Sequence, residues 1–173
     1  MEYAIVLYFD EDTEANLNNL MEELACDKTN TYMIDNKIPP HITLSLFSSS
    51  DIARIENVID MHIRDFSQLS IIWTSLGTFI PHVLFAAPVV SEQIMSANKT
   101  VNGFIKPIAE HMDRYYQPGN WVPHTTLATK LTLESLSYAF EVAARKFMPL
   151  CGYANRIVLA ECNPYKELRV WRL

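Results

Sequence analysis

No stretch of this 173-residue chain approaches the roughly 18 consecutive apolar residues that a membrane-spanning helix needs. Its start, Met1-Glu2-Tyr3, carries neither a basic segment nor a small-residue cleavage site, so no secretory signal is expected and a cytoplasmic location is. Cysteine is sparse. Cys26, Cys151 and Cys162 are an odd number without CxxC spacing, which excludes a disulfide framework and a thiolate zinc site and leaves buried or idle thiols. The 5 histidines show no HxxxH or HxH spacing, so neither a metal nor a cofactor is expected. Positive charge is also short: 14 Lys and Arg stand against 20 Asp and Glu, for a net charge of −6 with no basic stripe. That argues against a long duplex held by its phosphates but leaves room for a small phosphate ester or one RNA end, and with no long apolar run no membrane partner is expected. Nothing is long, Gly/Ser-rich or charged enough to be a linker. The expectation is a monomer built as one bilobal domain over residues 1–173.

What is present is a mixed order of elements. Residues 3–9 form an apolar, β-rich run that reads as a central strand. Leu17, Leu20, Met21 and Leu24 mark one face of a following helix with acids in its first turn. A strand is expected over residues 41–47. Asp51 can cap a second helix carrying Ile52, Ile55, Ile59, Ile63 and Phe66. Residues 69–79 and 82–87 read as two strands around Pro81, and residues 91–115 as a longer helical stretch with interruptions near Gly103 and Pro107. A loop over residues 116–120 precedes a strand near Val122. A helix with Leu133, Leu136, Phe140, Ala144 and Phe147 comes next, then closing strands at 156–160 and 167–173. This order predicts an α+β fold of mainly antiparallel sheet with helices on the outer faces. It also reads as a duplication, because each half holds a proline-preceded His-x-Thr-Leu strand followed by an amphipathic helix.

Those two strands carry the chemistry: Pro40-His41-Ile42-Thr43-Leu44 and Pro123-His124-Thr125-Thr126-Leu127. Residues at i and i+2 of a strand share a face roughly 6.5–7 Å apart, so each unit can offer an imidazole and a hydroxyl to one ligand. In the first strand His41, Thr43, Ser45 and Phe47 are expected on one face and Ile42, Leu44 and Leu46 on the other. In the second, His124, Thr126, Ala128 and Lys130 are expected to share a face. Two such units could frame one phosphodiester. Threonine hydroxyls would donate to phosphoryl oxygens, while one neutral and one protonated imidazole serve as base and acid. A single His-x-Thr means little; two, both after proline, both before leucine and both on strands, are hard to reach by accident.

Other residues have two readings each. Ser45 could donate a hydroxyl to the site or be solvated. Phe47 could stack on a nucleobase or plug the cleft floor. Tyr116, Trp121 and Tyr165 could line a base pocket or anchor loops. Lys130 meets a phosphate only if its strand persists that far, and is otherwise a surface lysine. His62 and His82 read as structural, and His111 as a residue on the helix surface.

At the two His-x-Thr units the chain resembles the two-histidine (2H) phosphoesterase superfamily, which contains the bacterial 2′-5′ RNA ligases and cyclic phosphodiesterases. The likeness extends loosely from the opening strand to Asn163-Pro164-Tyr165, and the 83 residues between His41 and His124 are similar to the family's spacing. The resemblance implies two pseudo-symmetric lobes around a central cleft, one motif in each. It implies metal-independent opening of 2′,3′-cyclic phosphates or related 2′-linked phosphodiesters, with His41 and His124 as acid/base residues and Thr43 and Thr126 as phosphate binders. A 2′-5′ RNA ligase and a nucleotide- or RNA-end-binding module with little turnover are the alternatives.

Overall fold

Strand β1 (Glu2–Phe9) is buried from Tyr3 onward because both of its faces are covered and both of its edges are paired. Ile5, Leu7 and Phe9 point into the main core beneath the helices, whereas Ala4, Val6 and Tyr8 share the other face with Val158, Leu46 and Cys162. In this computed structural model, which describes residues 1–173, α1 (Glu11–Cys26) and α2 (Tyr32–Asp35) lead to β2 (Ile42–Ser48) and α3 (Ile52–His62). The hairpin β3 (Leu69–Phe79) and β4 (Val83–Pro88) follows, then α4 (Glu92–Ile105), β5 (His111–Met112), β6 (Thr125–Ala128) and α5 (Leu133–Lys146). A long β7 (Leu150–Cys162) and β8 (Tyr165–Arg172) close the chain. No helix is long and apolar enough to cross a membrane.

All strand pairs are antiparallel, and the sheet runs β5-β2-β1-β7-β3-β4-β6 with β8 beside β7. Without the added β5 and β8, the order β2-β1-β7-β3-β4-β6 maps onto itself when the halves are exchanged. Strand β1 corresponds to β4, β2 to β6 and β3 to β7. The duplication read from the two motifs is therefore a property of the whole sheet. The helices cross over: α1, which follows β1, packs against β6 and α5, and α4, which follows β4, packs against β2 and α3. Each half thus covers the other, and the lobes share one core.

Local chemistry sets the helix starts. Asp10 caps α1 by accepting from the Thr13 amide at 3.0 Å, and its carboxylate also takes the Tyr153 amide at 2.7 Å, which pins the helix to β7. Gly152 permits that approach, since a Cβ there would fall 1.8 Å from Thr13 Oγ1. The expected face of α1 is the buried one, with Leu17, Leu20, Met21 and Leu24 in the core.

Several sequence expectations need correction. The helical stretch ends at Ile105, two residues before Pro107, whose nitrogen has no hydrogen to donate to the preceding turn, and His111 sits on the short strand β5 instead of a helix. Strand β6 begins at Thr125, not near Val122. On α5 the buried residues are Leu136, Ala139 and Ala143, while Leu133 and Phe140 are exposed; small residues let this helix lie close to its neighbours. Of the two readings of the thiols, burial applies only to Cys162, which is partly buried, while Cys26 and Cys151 are exposed.

Candidate active site

Both His-x-Thr strands carry a β-bulge at the same motif position. In β2, Ile5 pairs with Ser45 and Val6 with Thr43, leaving Leu44 as the extra residue. In β6, Leu84 pairs with Ala128 and Phe85 with Thr126, leaving Leu127 as the extra residue. A bulge breaks the period-2 alternation. Here it turns two consecutive side chains into the core: Leu44 with Ser45, and Leu127 with Ala128, all fully buried or nearly so. The residues before each bulge keep the helix-free face. Thr43 lies beside Val6, and Thr126 beside Phe85.

This overturns part of the expected facing. Ser45 is buried and donates to Asn102 Oδ1 at 3.1 Å, and Phe47 is a core residue packed on Tyr3; neither shares a face with His41. Ala128 likewise leaves the face of Thr126. Lys130 lies beyond the end of β6 with a positive φ of 59°, and its Nζ sits 4.1 Å from the Tyr32 ring centroid, away from the histidines. Trp121 is buried and donates its indole N–H to Thr43 O at 3.0 Å, tying the approach to the second motif onto the strand of the first.

The two imidazoles are held alike. His41 Nδ1 lies 2.8 Å from Pro39 O, and His124 Nδ1 lies 2.8 Å from Val122 O. A carbonyl only accepts, so each Nδ1 carries the hydrogen and each neutral ring keeps an unprotonated Nε2 for other partners. Burial pushes His41 down to about 4, against the raising effect of the Pro39 bond, and the positive charge of His124 lowers it further. His124 is also lowered by burial, against its bond to Val122. The charge of one ring thus reaches the other, and the pair resists holding two protons.

The surroundings differ. His41 stacks on Tyr165, with ring centroids 5.8 Å apart. His124 sits among Phe79 at 4.8 Å, Phe85 at 5.3 Å and Tyr116 at 6.4 Å between ring centroids. Phe85 reaches it by lying across Gly77, where a Cβ would be 2.4 Å from the ring. Beside His124 opens a cavity of 480 Å³, lined by Phe79, Tyr116, Val122, Asn120 and Thr126 among others, with no lysine or arginine. Tyr116 and Tyr165 therefore each lie beside one of the histidines, and of the two only Tyr116 lines the cavity.

Sequence reasoning did not find the groups that hold these parts in place. Asn98 and Asn102 of α4 both donate to the bulged Leu44 O, at 2.7 and 3.0 Å, and both donate to Tyr116 O, at 2.9 and 3.1 Å. Their spacing of four residues on a helix is visible in the sequence, but the carbonyls they serve are not. His62 stacks on Phe104 and His82 bonds Leu131 O at 2.9 Å, which accounts for both as structural histidines.

Comparison with solved structures gives the same architecture at low identity. LigT of E. coli complexed with 3′-AMP matches with a TM-score of 0.62 at 10% identity, covering 99% of this chain and 97% of that one. TT0787 of Thermus thermophilus matches at 0.64 and 16% identity over 100% and 98% of the two chains. Usb1 of Kluyveromyces marxianus matches at 0.55 and 10% identity over 99% and 98%. No curated protein matches by sequence. The family model of the 2′-5′ RNA ligase superfamily matches residues 10–163, nearly the whole chain, and so the chain belongs to the 2′-5′ RNA ligase superfamily, the two-histidine phosphoesterases.

Proposed function

We propose that this protein is a metal-independent phosphoesterase that opens 2′,3′-cyclic phosphates or related 2′-linked phosphodiesters of nucleotides or RNA ends. The observation that carries the reading is the matched pair of imidazoles, each bonded through Nδ1 to the carbonyl two residues upstream and each followed two residues later by a threonine that immediately precedes a bulge. In this reading a neutral His41 takes a proton from water as its oxygen bonds to phosphorus. A protonated His124 gives its proton to the ribose oxygen as the P–O bond to it breaks. Two features support that assignment. His41 is the ring more strongly held neutral, and the aromatic cavity that would take the nucleoside lies on the His124 side, where the leaving oxygen belongs. Thr43 and Thr126 hold non-bridging oxygens. An RNA hydroxyl in place of water would make the same site a 2′-5′ ligase.

A cavity without cationic residues and a chain of net charge −6 favour a small ester over a long RNA, and nothing in the site calls for a second subunit. LigT was solved with 3′-AMP, a ligand of that size. The test is incubation with 2′,3′-cyclic nucleotides in the presence of EDTA, followed by an RNA-joining assay with cyclic-phosphate ends. Ring opening that survives EDTA is expected. Tight binding without product would instead make the protein a nucleotide-binding module.

Two further results are expected here. Acid must be present on one ring and absent from the other, so kcat/KM should be bell-shaped. It falls as pH drops through His41, near 4, and falls as pH rises through His124, which lies below the ordinary imidazole value of about 6.5. The optimum of kcat/KM is therefore acidic; that of kcat lies higher, because a bound phosphate favours the imidazolium. A flat profile from pH 4 to 9 contradicts the pairing. Thr43→Val keeps shape and the Trp121 bond to the backbone, yet removes a donor to the phosphate; kcat/KM should drop about 10-fold or more with the circular dichroism spectrum unchanged.

A further inference from the structure

Tyr8, which is buried, and Tyr165, which is half-buried, form a hydrogen-bonded pair of phenols outside the acid/base pair. Tyr8 Oη donates to Glu167 Oε1 at 2.9 Å and lies 2.6 Å from Tyr165 Oη. A phenol has one proton, and a carboxylate accepts only, so the proton of Tyr8 belongs to Glu167. The short contact between the phenols must then be Tyr165 donating to Tyr8. The chain reads Tyr165 O–H to Tyr8 O–H to Glu167, running from the half-buried ring stacked on His41, through a buried phenol, to an exposed carboxylate. Burial raises Tyr8 above the ordinary phenol value and raises Tyr165 to about 12, so both keep their protons at neutral pH.

We propose that Tyr165 is a positioning residue for His41: its ring, pinned by Tyr8 and Glu167, walls one side of the imidazole and keeps it dry and oriented. Its hydroxyl proton is committed inward, so it is not a phosphate donor. The Pro39 carbonyl fixes one edge of the imidazole and the Tyr165 ring fixes one face, which together leave Nε2 a single direction. The titratable groups facing His41 are His124, just ahead of β6, and Tyr165 from β8, with Tyr8 of β1 reached through Tyr165, and Glu167 and Arg156 one contact further through Tyr8. Among them only Tyr165 stacks on the ring.

The role in turnover rests on the two-histidine reading, so the test uses a measurement that needs no substrate. The His41 and His124 imidazoles are titrated by NMR in the wild type and in Tyr165→Leu, Tyr165→Phe and Tyr8→Phe. Losing the ring admits water to His41, so Tyr165→Leu should raise its midpoint by about one pH unit and leave His124 nearly still. Tyr165→Phe breaks the bond between the phenols, and Tyr8→Phe breaks that bond together with the one to Glu167. Both should give smaller shifts than Tyr165→Leu, that of Tyr8→Phe being at least as large as that of Tyr165→Phe, and the double variant should shift no more than Tyr8→Phe alone. In steady-state assays Tyr165→Leu should lower kcat several-fold, by roughly 3 to 10, with KM within about twofold. A His41 midpoint that does not move, or a His124 midpoint that moves as far, overturns the proposal. If Tyr165→Leu does not fold, the Phe variants decide: no shift in either, or a double variant that shifts by the sum of the two, overturns it. An enzyme without turnover but with the expected shifts would sink the phosphoesterase reading and leave this one standing.

Discussion

His41→Ala and His124→Ala are each expected to lower kcat/KM for a 2′,3′-cyclic nucleotide by at least ~10²-fold, or about 2.7 kcal/mol of transition-state stabilisation. The proton taken from the nucleophile and the proton given to the leaving oxygen are separate events, and each variant removes the group for one of them. Neither loss should be covered by the partner ring, because each Nδ1 is occupied by its carbonyl, which leaves each ring only its Nε2 for the one proton transfer assigned to it. The double variant should be little worse than the poorer single one, since the two rings act as a unit. The pH profiles separate the roles. His41→Ala should lose the acid-side limb and His124→Ala the alkaline one. Stability should change less than activity, as each ring's hydrogen bond is local, to a carbonyl two residues away. Wild-type activity in either variant removes the basis of the proposed mechanism.

The second large effect lies away from the reacting atoms. Asn102→Leu keeps volume but deletes an amide that serves three carbonyls, those of Leu44, Asn98 and Tyr116, and the acceptor of the Ser45 hydroxyl. Asn102 is 5% exposed and Ser45 is fully buried, so water cannot replace what is lost. Leaving buried polar groups short of partners costs ~1–3 kcal/mol each, which puts the loss of stability at about 2–4 kcal/mol, read from the denaturation midpoint. Because the same amide holds the bulged Leu44 and the ring-bearing Tyr116 together, kcat/KM should fall with it. Full stability in Asn102→Leu would mean that Asn98 alone suffices to hold the bulge.

These predictions draw on features that differ in how far the sequence revealed them. The order of strands and helices, the buried face of α1 and the doubling of the fold were legible because they depend on short periods and repeated signals. The buried strand β1 shows its apolar run directly. The two His-x-Thr units were legible too, since proline, histidine, threonine and leucine recur at the same offsets. Less legible was which way side chains point after the motif. Alternation placed Ser45 and Phe47 with His41, and Ala128 with Thr126, and the bulges at Leu44 and Leu127 reversed both. A bulge is a property of a strand and its partner together; Val6 pairing with Thr43, and Phe85 with Thr126, exist only after folding. The face of α5 was misread for a related cause, as Ala139 and Ala143 are buried by close packing and Phe140 is left outside.

By itself, then, the chain's order of residues determined the α+β architecture, its internal repeat and the pair of imidazoles, because hydrophobic period and motif spacing are local and survive without a partner. Only the tertiary structure decided what stands around those imidazoles: Tyr165 against one, Phe79, Phe85 and Tyr116 against the other, and two asparagines of α4 clamping the first bulge. These contacts join residues from distant parts of the sequence, and their energies arise from burial and hydrogen-bond geometry that no segment holds alone.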